Sequence, residues 1–197
     1  KKRSVEWPLV IPLSMGMVLG AVLGARYAAT LTNENLKWII TIFLIVIGIE
    51  MISNFTKSLA NKDQKLITLS KSIMPIHGSW IGFLSSIIGI GGGSFTTPLM
   101  IVGGYNIRSG IGTAAACGVP IAAAGAFGYM YFGKSSEAVL PPGAFGYVFW
   151  PAVISISLAS ILTARLGANI SHSISEKNLK ISFGIFLILI GILVIAN

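Results

Sequence analysis

Between residues 89 and 99 the chain reads Gly89-Ile90-Gly91-Gly92-Gly93-Ser94-Phe95-Thr96-Thr97-Pro98-Leu99. Each Gly costs a helix about 1 kcal/mol relative to Ala, so a straight helix breaks here. A helix that restarts after the break begins with backbone N–H groups that have no acceptor of their own. The aligned peptide dipoles add partial positive charge at that end. Glycines let a ligand approach the main chain closely, and Ser94, Thr96 and Thr97 add hydroxyl donors. Together these groups can hold an anion without Lys or Arg. The candidate binding residues in this stretch are Gly89, Gly91, Gly92, Gly93, Ser94, Thr97 and Pro98. The plainer reading is a tight bend or a close packing contact. The glycine spacing is not that of a dinucleotide fingerprint, and the Lys-Ser/Thr pair of a phosphate-binding Walker loop is absent.

Further along, Gly112-Thr113-Ala114-Ala115-Ala116-Cys117-Gly118-Val119-Pro120 is small and partly polar. Thr113 and Cys117 are four apart and share a helix face. That face could line a substrate path, or it could be a tight seam with an inert thiol. Cys117 has no base or cation near it in sequence, which argues against an activated nucleophile. Glu50 is the one acid deep in an apolar run and is a candidate proton carrier; snorkelling to the membrane interface is the competing role. His77 is a second, weaker candidate for proton coupling, though a single His at a helix start is more often structural. The sequence shows no metal-ligand cluster and no nucleophile–base–acid set, and no cofactor is expected. An intramembrane enzyme built on Cys117 therefore ranks last among the functional readings.

The composition says where these residues must work. Of 197 residues, 54% are hydrophobic and only 10% are charged, and the mean hydropathy is +0.83. A soluble domain carries roughly 25% charged residues, so an integral membrane protein is expected, surrounded by lipid. The net charge of +8 comes from basic residues scattered at segment ends, the pattern of membrane topology rather than of nucleic-acid binding. Charge-free runs cover 7–25, 38–49 (continuing past Glu50), 72–107, 109–133, 138–164 and 181–197. A crossing helix needs about 20 residues. The fold predicted is all-α and polytopic, with five to six transmembrane helices. The long run is split by the glycines into half-length pieces, 80–90 and 94–104. It is either one broken crossing or a re-entrant hairpin.

Shifted by 143 residues, the chain aligns with itself. Trp7-Pro8 falls on Trp150-Pro151, Leu23-Gly24-Ala25 on Leu166-Gly167-Ala168, Asn35-Leu36-Lys37 on Asn178-Leu179-Lys180, and Ile42-Phe43-Leu44-Ile45 on Ile185-Phe186-Leu187-Ile188. Duplicated halves with an interrupted segment are typical of transporters. The expected organisation is a shortened first repeat (1–54), a basic cytoplasmic linker (55–76) and a second repeat (77–197). Completing the first repeat would take about 70 further N-terminal residues. If 80–104 re-enters, Arg26, Lys37 and Lys134 face one side and all other Lys and Arg face the other. That is a much stronger bias than a full crossing gives, and it favours a hairpin and inverted repeats.

The glycine stretch, followed by Gly112-Thr113-Ala114, resembles the sulfite exporter TauE/SafE family, also called the toluene-sulfonate uptake permease family. Its pattern is Gly-x-Gly-Gly-Gly, a short apolar stretch, Pro-Leu, then a helix with Ala/Gly-Thr-Ser; here Ala114 stands where the family often has Ser. The resemblance covers essentially the whole chain. It implies a multi-pass permease of the bacterial inner membrane for small sulfur-containing anions such as sulfite or sulfonates. The oxyanion would be cradled at Gly92, Gly93 and Ser94, with hydrogen bonds from Thr97 and Thr113. A non-transporting membrane scaffold is the alternative, and a homodimer stays open.

Overall fold

The computed structural model describes residues 5–53, 73–105, 107–134, 140–173 and 175–196. Most of the basic linker expected at 55–76 lies outside the described residues. Among them the chain forms α1 (Trp7–Thr30), α2 (Asn33–Ser53), α3 (Met74–Ile88), α4 (Gly93–Val102), α5 (Ile107–Gly133), α6 (Trp150–Ser173) and α7 (Glu176–Ala196). A short hairpin, β1 (Ala144–Phe145) and β2 (Val148–Phe149), precedes α6. Three helical spans, 7–30, 33–53 and 109–133, are long and apolar enough to cross a membrane. Shorter apolar stretches occupy 93–102, 150–164 and 181–196.

The duplication is visible in the helix boundaries. α6 and α7 begin and end 143 residues after α1 and α2, respectively. Both copies of the first helix open on Trp-Pro. Pro suits a first helical turn, where its fixed φ is already helical and its missing N–H would have had no acceptor. The hairpin was not expected: 138–164 reads as one apolar crossing. Pro141-Pro142 cannot continue a helix, and Gly143 and Gly146 both take positive φ, at 89° and 59°. Gly146 thus opens a two-residue turn between the paired strands, and the helix starts only at Trp150.

The chain divides into two compact units, one of residues 1–31 and 59–136, the other of 32–58 and 137–197. In the first unit α1 and α3 run parallel. Gly16 meets the Pro75 carbonyl, Gly20 meets Ser79 and Gly24 meets Phe83; from the other side Gly78 meets Leu13 and Gly82 meets Met17. A side chain at any of these glycines would collide with backbone. The seam is therefore held by direct main-chain contact, the small-residue packing that membrane helices use. α5 also runs parallel to α1: the Glu6 N–H donates to Thr113 Oγ1 at 3.1 Å near one end, and Gly128 packs on Ala25 near the other. Leu13, Met17, Ala21, Met74, Met100, Cys117 and Ile121 fill the core between these helices. The α1 residues Trp7, Ile11, Met15, Leu19 and Leu23 are exposed at four-residue spacing, an apolar stripe suited to lipid.

The direction of α4 resolves the long run. Gly93 lies beside Ala114 and Gly110 lies beside Thr97 and Met100, so α4 is antiparallel to α5 and hence to α3. The chain reverses at the glycines and returns to the end from which α3 started, which makes the segment a re-entrant hairpin. Its arms are unequal: α3 has 15 residues and α4 has 10, about 22 Å and 15 Å as helix. The first arm begins at Met74-Pro75 rather than near Trp80, because Pro75 supplies a helix start six residues before that point.

The second unit pairs the two copies of one repeat element. α2 and α7 are antiparallel. Gly48 packs on Gly184 and Ile188, and the Thr41 hydroxyl donates to the Gly191 carbonyl at 3.3 Å. The 143-residue shift carries Gly48 to Gly191, Ile45 to Ile188 and Thr41 to Gly184, so each contact maps onto another. Two equivalent helices related in this antiparallel way have opposite senses across a bilayer, as inverted repeats require.

Overpacking a well-filled seam costs about 1–3 kcal/mol, so Gly20→Ala should lower stability by at least that much in detergent unfolding. Gly118→Ala, where nothing lies within 4 Å of the added carbon, should be neutral or stabilising by up to about 1 kcal/mol.

Candidate functional site

Gly89 ends α3 with φ of 77°, a left-handed conformation that Gly adopts without steric cost. Its N–H and that of Ile90 both donate to the Ser85 carbonyl, at 2.9 and 3.0 Å. This double closure is the usual way a helix stops at Gly. The chain then passes through Ile90 and Gly91 without regular structure. It restarts at Gly92, whose carbonyl accepts the Thr96 N–H at 2.9 Å and the Thr96 hydroxyl at 2.7 Å. Thr96 is fully buried, and its hydroxyl is used within its own helix. Among the described residues, the amides of Gly91, Gly92, Gly93 and Ser94 donate to nothing. The carbonyls of Ile87, Ile88 and Gly89 likewise accept nothing. Two helix ends of opposite partial charge therefore meet at the break.

A cavity of about 250 Å³ opens on this break. It is lined by Ser85, Ser86, Gly89, Ile90, Gly91, Ile121, Ala122, Gly125, Ala126 and Tyr129. Ser85 and Ser86 are only 2% and 7% exposed, and neither hydroxyl has a hydrogen-bond partner among the described residues. The Ser86 carbonyl, in contrast, accepts the Tyr129 hydroxyl at 2.6 Å, tying the end of α3 to α5. Gly125 gives Ser86 Oγ room, at 3.7 Å from a carbon added there. Buried polar groups are normally satisfied, so two adjacent hydroxyls without protein partners in one cavity mark a place where water or a ligand can bind.

The residues singled out from the sequence separate in space. Gly89 and Gly91 line the cavity. Gly92 is buried beneath Ile81, Ile121 and Met17, and Gly93 faces Ala114. Ser94 and Pro98 are exposed and Thr97 is half-buried, with its carbonyl against Gly110. Thr113 and Cys117 share a face, as their spacing predicts, but that face is fully buried. Thr113 is occupied by the Glu6 N–H, and Cys117 sits in the apolar core. His77 is half-buried in the first turn of α3, more than two turns before Ser85. Glu50 is half-buried in α2, in the other unit. Sequence reasoning missed Ser85, Ser86 and Tyr129. The two serines could have been found from their place one turn before the break, on an otherwise apolar arm. Nothing local marks Tyr129.

Removing the Tyr129 hydroxyl should strand the Ser86 carbonyl. Tyr129→Phe is expected to cost about 1–3 kcal/mol in thermal unfolding, the penalty of an unpaired buried acceptor. Ser86→Ala, which keeps that carbonyl bond and removes an idle hydroxyl, should cost well under half of this.

Comparison with known proteins bears on what this arrangement serves. The chain is 30% identical over 196 residues to a "Probable membrane transporter protein" of Haemophilus influenzae, covering 98% of this chain and 71% of the relative. It is 24% identical over 194 residues to a protein of the same description from Methanocaldococcus jannaschii, covering 98% and 69%. A third, from Xylella fastidiosa, is 27% identical over 132 residues, 66% of this chain and 46% of the relative. No solved structure is significantly similar. The family described as Sulfite exporter TauE/SafE matches residues 1–194. With a re-entrant glycine hairpin, a duplicated helical frame and a family match across nearly its whole length, the chain belongs to the sulfite exporter TauE/SafE family and is a membrane transporter, not an enzyme.

Proposed function

We propose that this transporter carries small sulfur-containing anions, sulfite or sulfonates, across the cell membrane, and that it holds them at the free amides of the glycine break. The observation that carries this reading is the run of N–H groups from Gly91 to Ser94 that have no partner among the described residues, opening at Gly91 onto a cavity with mostly apolar lining. Backbone amides at a helix start offer an oxyanion several donors and a favourable dipole. Apolar surroundings strengthen those interactions, because the local dielectric is low. Among the described residues no Lys or Arg lines the cavity, so the site binds through dipoles and releases its anion without breaking an ion pair. Broken segments of this kind mark the binding site in transporters built from inverted repeats, and movement of one repeat against the other exposes it to each side in turn. The family description supports sulfite as the first substrate to test.

Gly91 gives a clean variant. It has no positive φ and nothing lies within 4 Å of a Cβ added there, so the backbone accepts Gly91→Leu, whose side chain would occupy the mouth of the break. In proteoliposomes it should lower sulfite flux by at least about tenfold, equivalent to losing roughly 1.4 kcal/mol of binding. Equal flux in Gly91→Leu and wild type would reject the site.

A further inference from the structure

The anion reading uses the start of α4 and leaves the other helix end idle. The carbonyls of Ile87, Ile88 and Gly89 close α3 without partners, and its dipole makes this end partially negative. One turn earlier, Ser85 and Ser86 place two unpartnered hydroxyl oxygens, more than nine-tenths buried, on the wall of the cavity that Gly89 also lines. The set comprises neutral oxygens on a negative helix end, with no amide or cationic side chain among them.

We propose that this end of α3 binds a monovalent alkali cation, with Ser85 Oγ, Ser86 Oγ and the Gly89 carbonyl as its first ligands, and that this cation is the coupling ion. Unwound carbonyls and half-helix C-termini coordinate such ions in membrane transporters. A divalent ion would favour carboxylates, and among the described residues the cavity has none. A proton carrier would need a group that titrates near neutrality. The lining offers only Tyr129, whose hydroxyl is committed to the Ser86 carbonyl at 2.6 Å; Glu50 and His77 are not part of it. A bound cation on α3 and a bound anion on α4 neutralise one another across the break. Their joint movement also avoids the membrane-potential term, about 2.3 kcal/mol per charge per 100 mV. The coupling role rests on the anion reading, whereas the cation site itself does not.

The test separates the two. Thermal unfolding of the purified protein is followed in NaCl, KCl and choline chloride at equal ionic strength, with no sulfur anion present. Wild type should unfold several degrees higher in NaCl or KCl than in choline chloride, as a ligand that binds only the folded state requires. The Ser85→Ala/Ser86→Ala variant should show no such difference. Its midpoint in choline chloride reports folding, since the lost hydroxyls had no partners. Sulfite flux into wild-type proteoliposomes should fall about tenfold when the effective alkali cation is replaced by choline, within the usual range of coupling between sites. Identical midpoints in all three salts, or flux that follows a pH gradient and ignores the alkali cation, would overturn the proposal. Cation-specific stabilisation without any sulfite flux would leave the cation site standing and reject the anion reading instead.

Discussion

The structure depends on polar backbone groups left unpaired where an apolar helix is broken. A buried N–H or C=O without a partner costs on the order of 1–3 kcal/mol, and lipid cannot supply the missing bond. At this turn Ile87 and Gly92 are buried, Ile88 and Gly93 half-buried, and Gly89, Gly91 and Ser94 exposed, so the cost falls on the buried groups, and water or a ligand can meet the others. α3 and α5 run parallel to α1 and form the walls, α4 returns beside α5, and Tyr129 pins the end of α3 in place. The helix ends bring opposite partial charges together, which lowers the cost of burying either alone.

Glycine does two unrelated jobs in this unit. At Gly16, Gly20, Gly78 and Gly82 it permits backbone to touch backbone, so that α1 and α3 form one rigid wall. At Gly89 it permits a left-handed turn, and at Gly91 it leaves open space. The first group makes the frame stiff and the second makes the cavity. The proposed site needs both, because a ligand held by dipoles alone would gain little from donors that can wander.

The α2–α7 pair adds the symmetry. Its contacts map onto themselves under the sequence repeat, so one set of residue choices, Gly facing a small partner at each crossing, serves both copies. Equivalent helices packed antiparallel in a bilayer belong to repeats of opposite orientation, and two similar states related by exchange of the repeats are the structural basis of alternating access.

Much of this was legible in the amino acids alone. Hydropathy and charge scarcity dictate a membrane-spanning helical protein. The 143-residue self-match foretells the boundaries of α6 and α7 from those of α1 and α2. The glycines place the break, and the distribution of Lys and Arg favours its re-entry. These are properties of local composition and of chain-long patterns, which a linear reading captures. Tertiary structure decided which polar groups face one another. Thr113 and Cys117 share a face as their spacing requires, yet only packing turned that face into the core. Ser85 and Ser86 are ordinary residues of an apolar arm until α5 brings Gly125 and Tyr129 against them. The Pro-Pro-Gly hairpin before Trp150 was hidden because its apolar side chains satisfy a hydropathy window as well as a helix would. Periodicity reports which side of a helix is apolar, but not whether lipid, another helix or a cavity lies opposite; that depends on contacts between residues far apart in the chain.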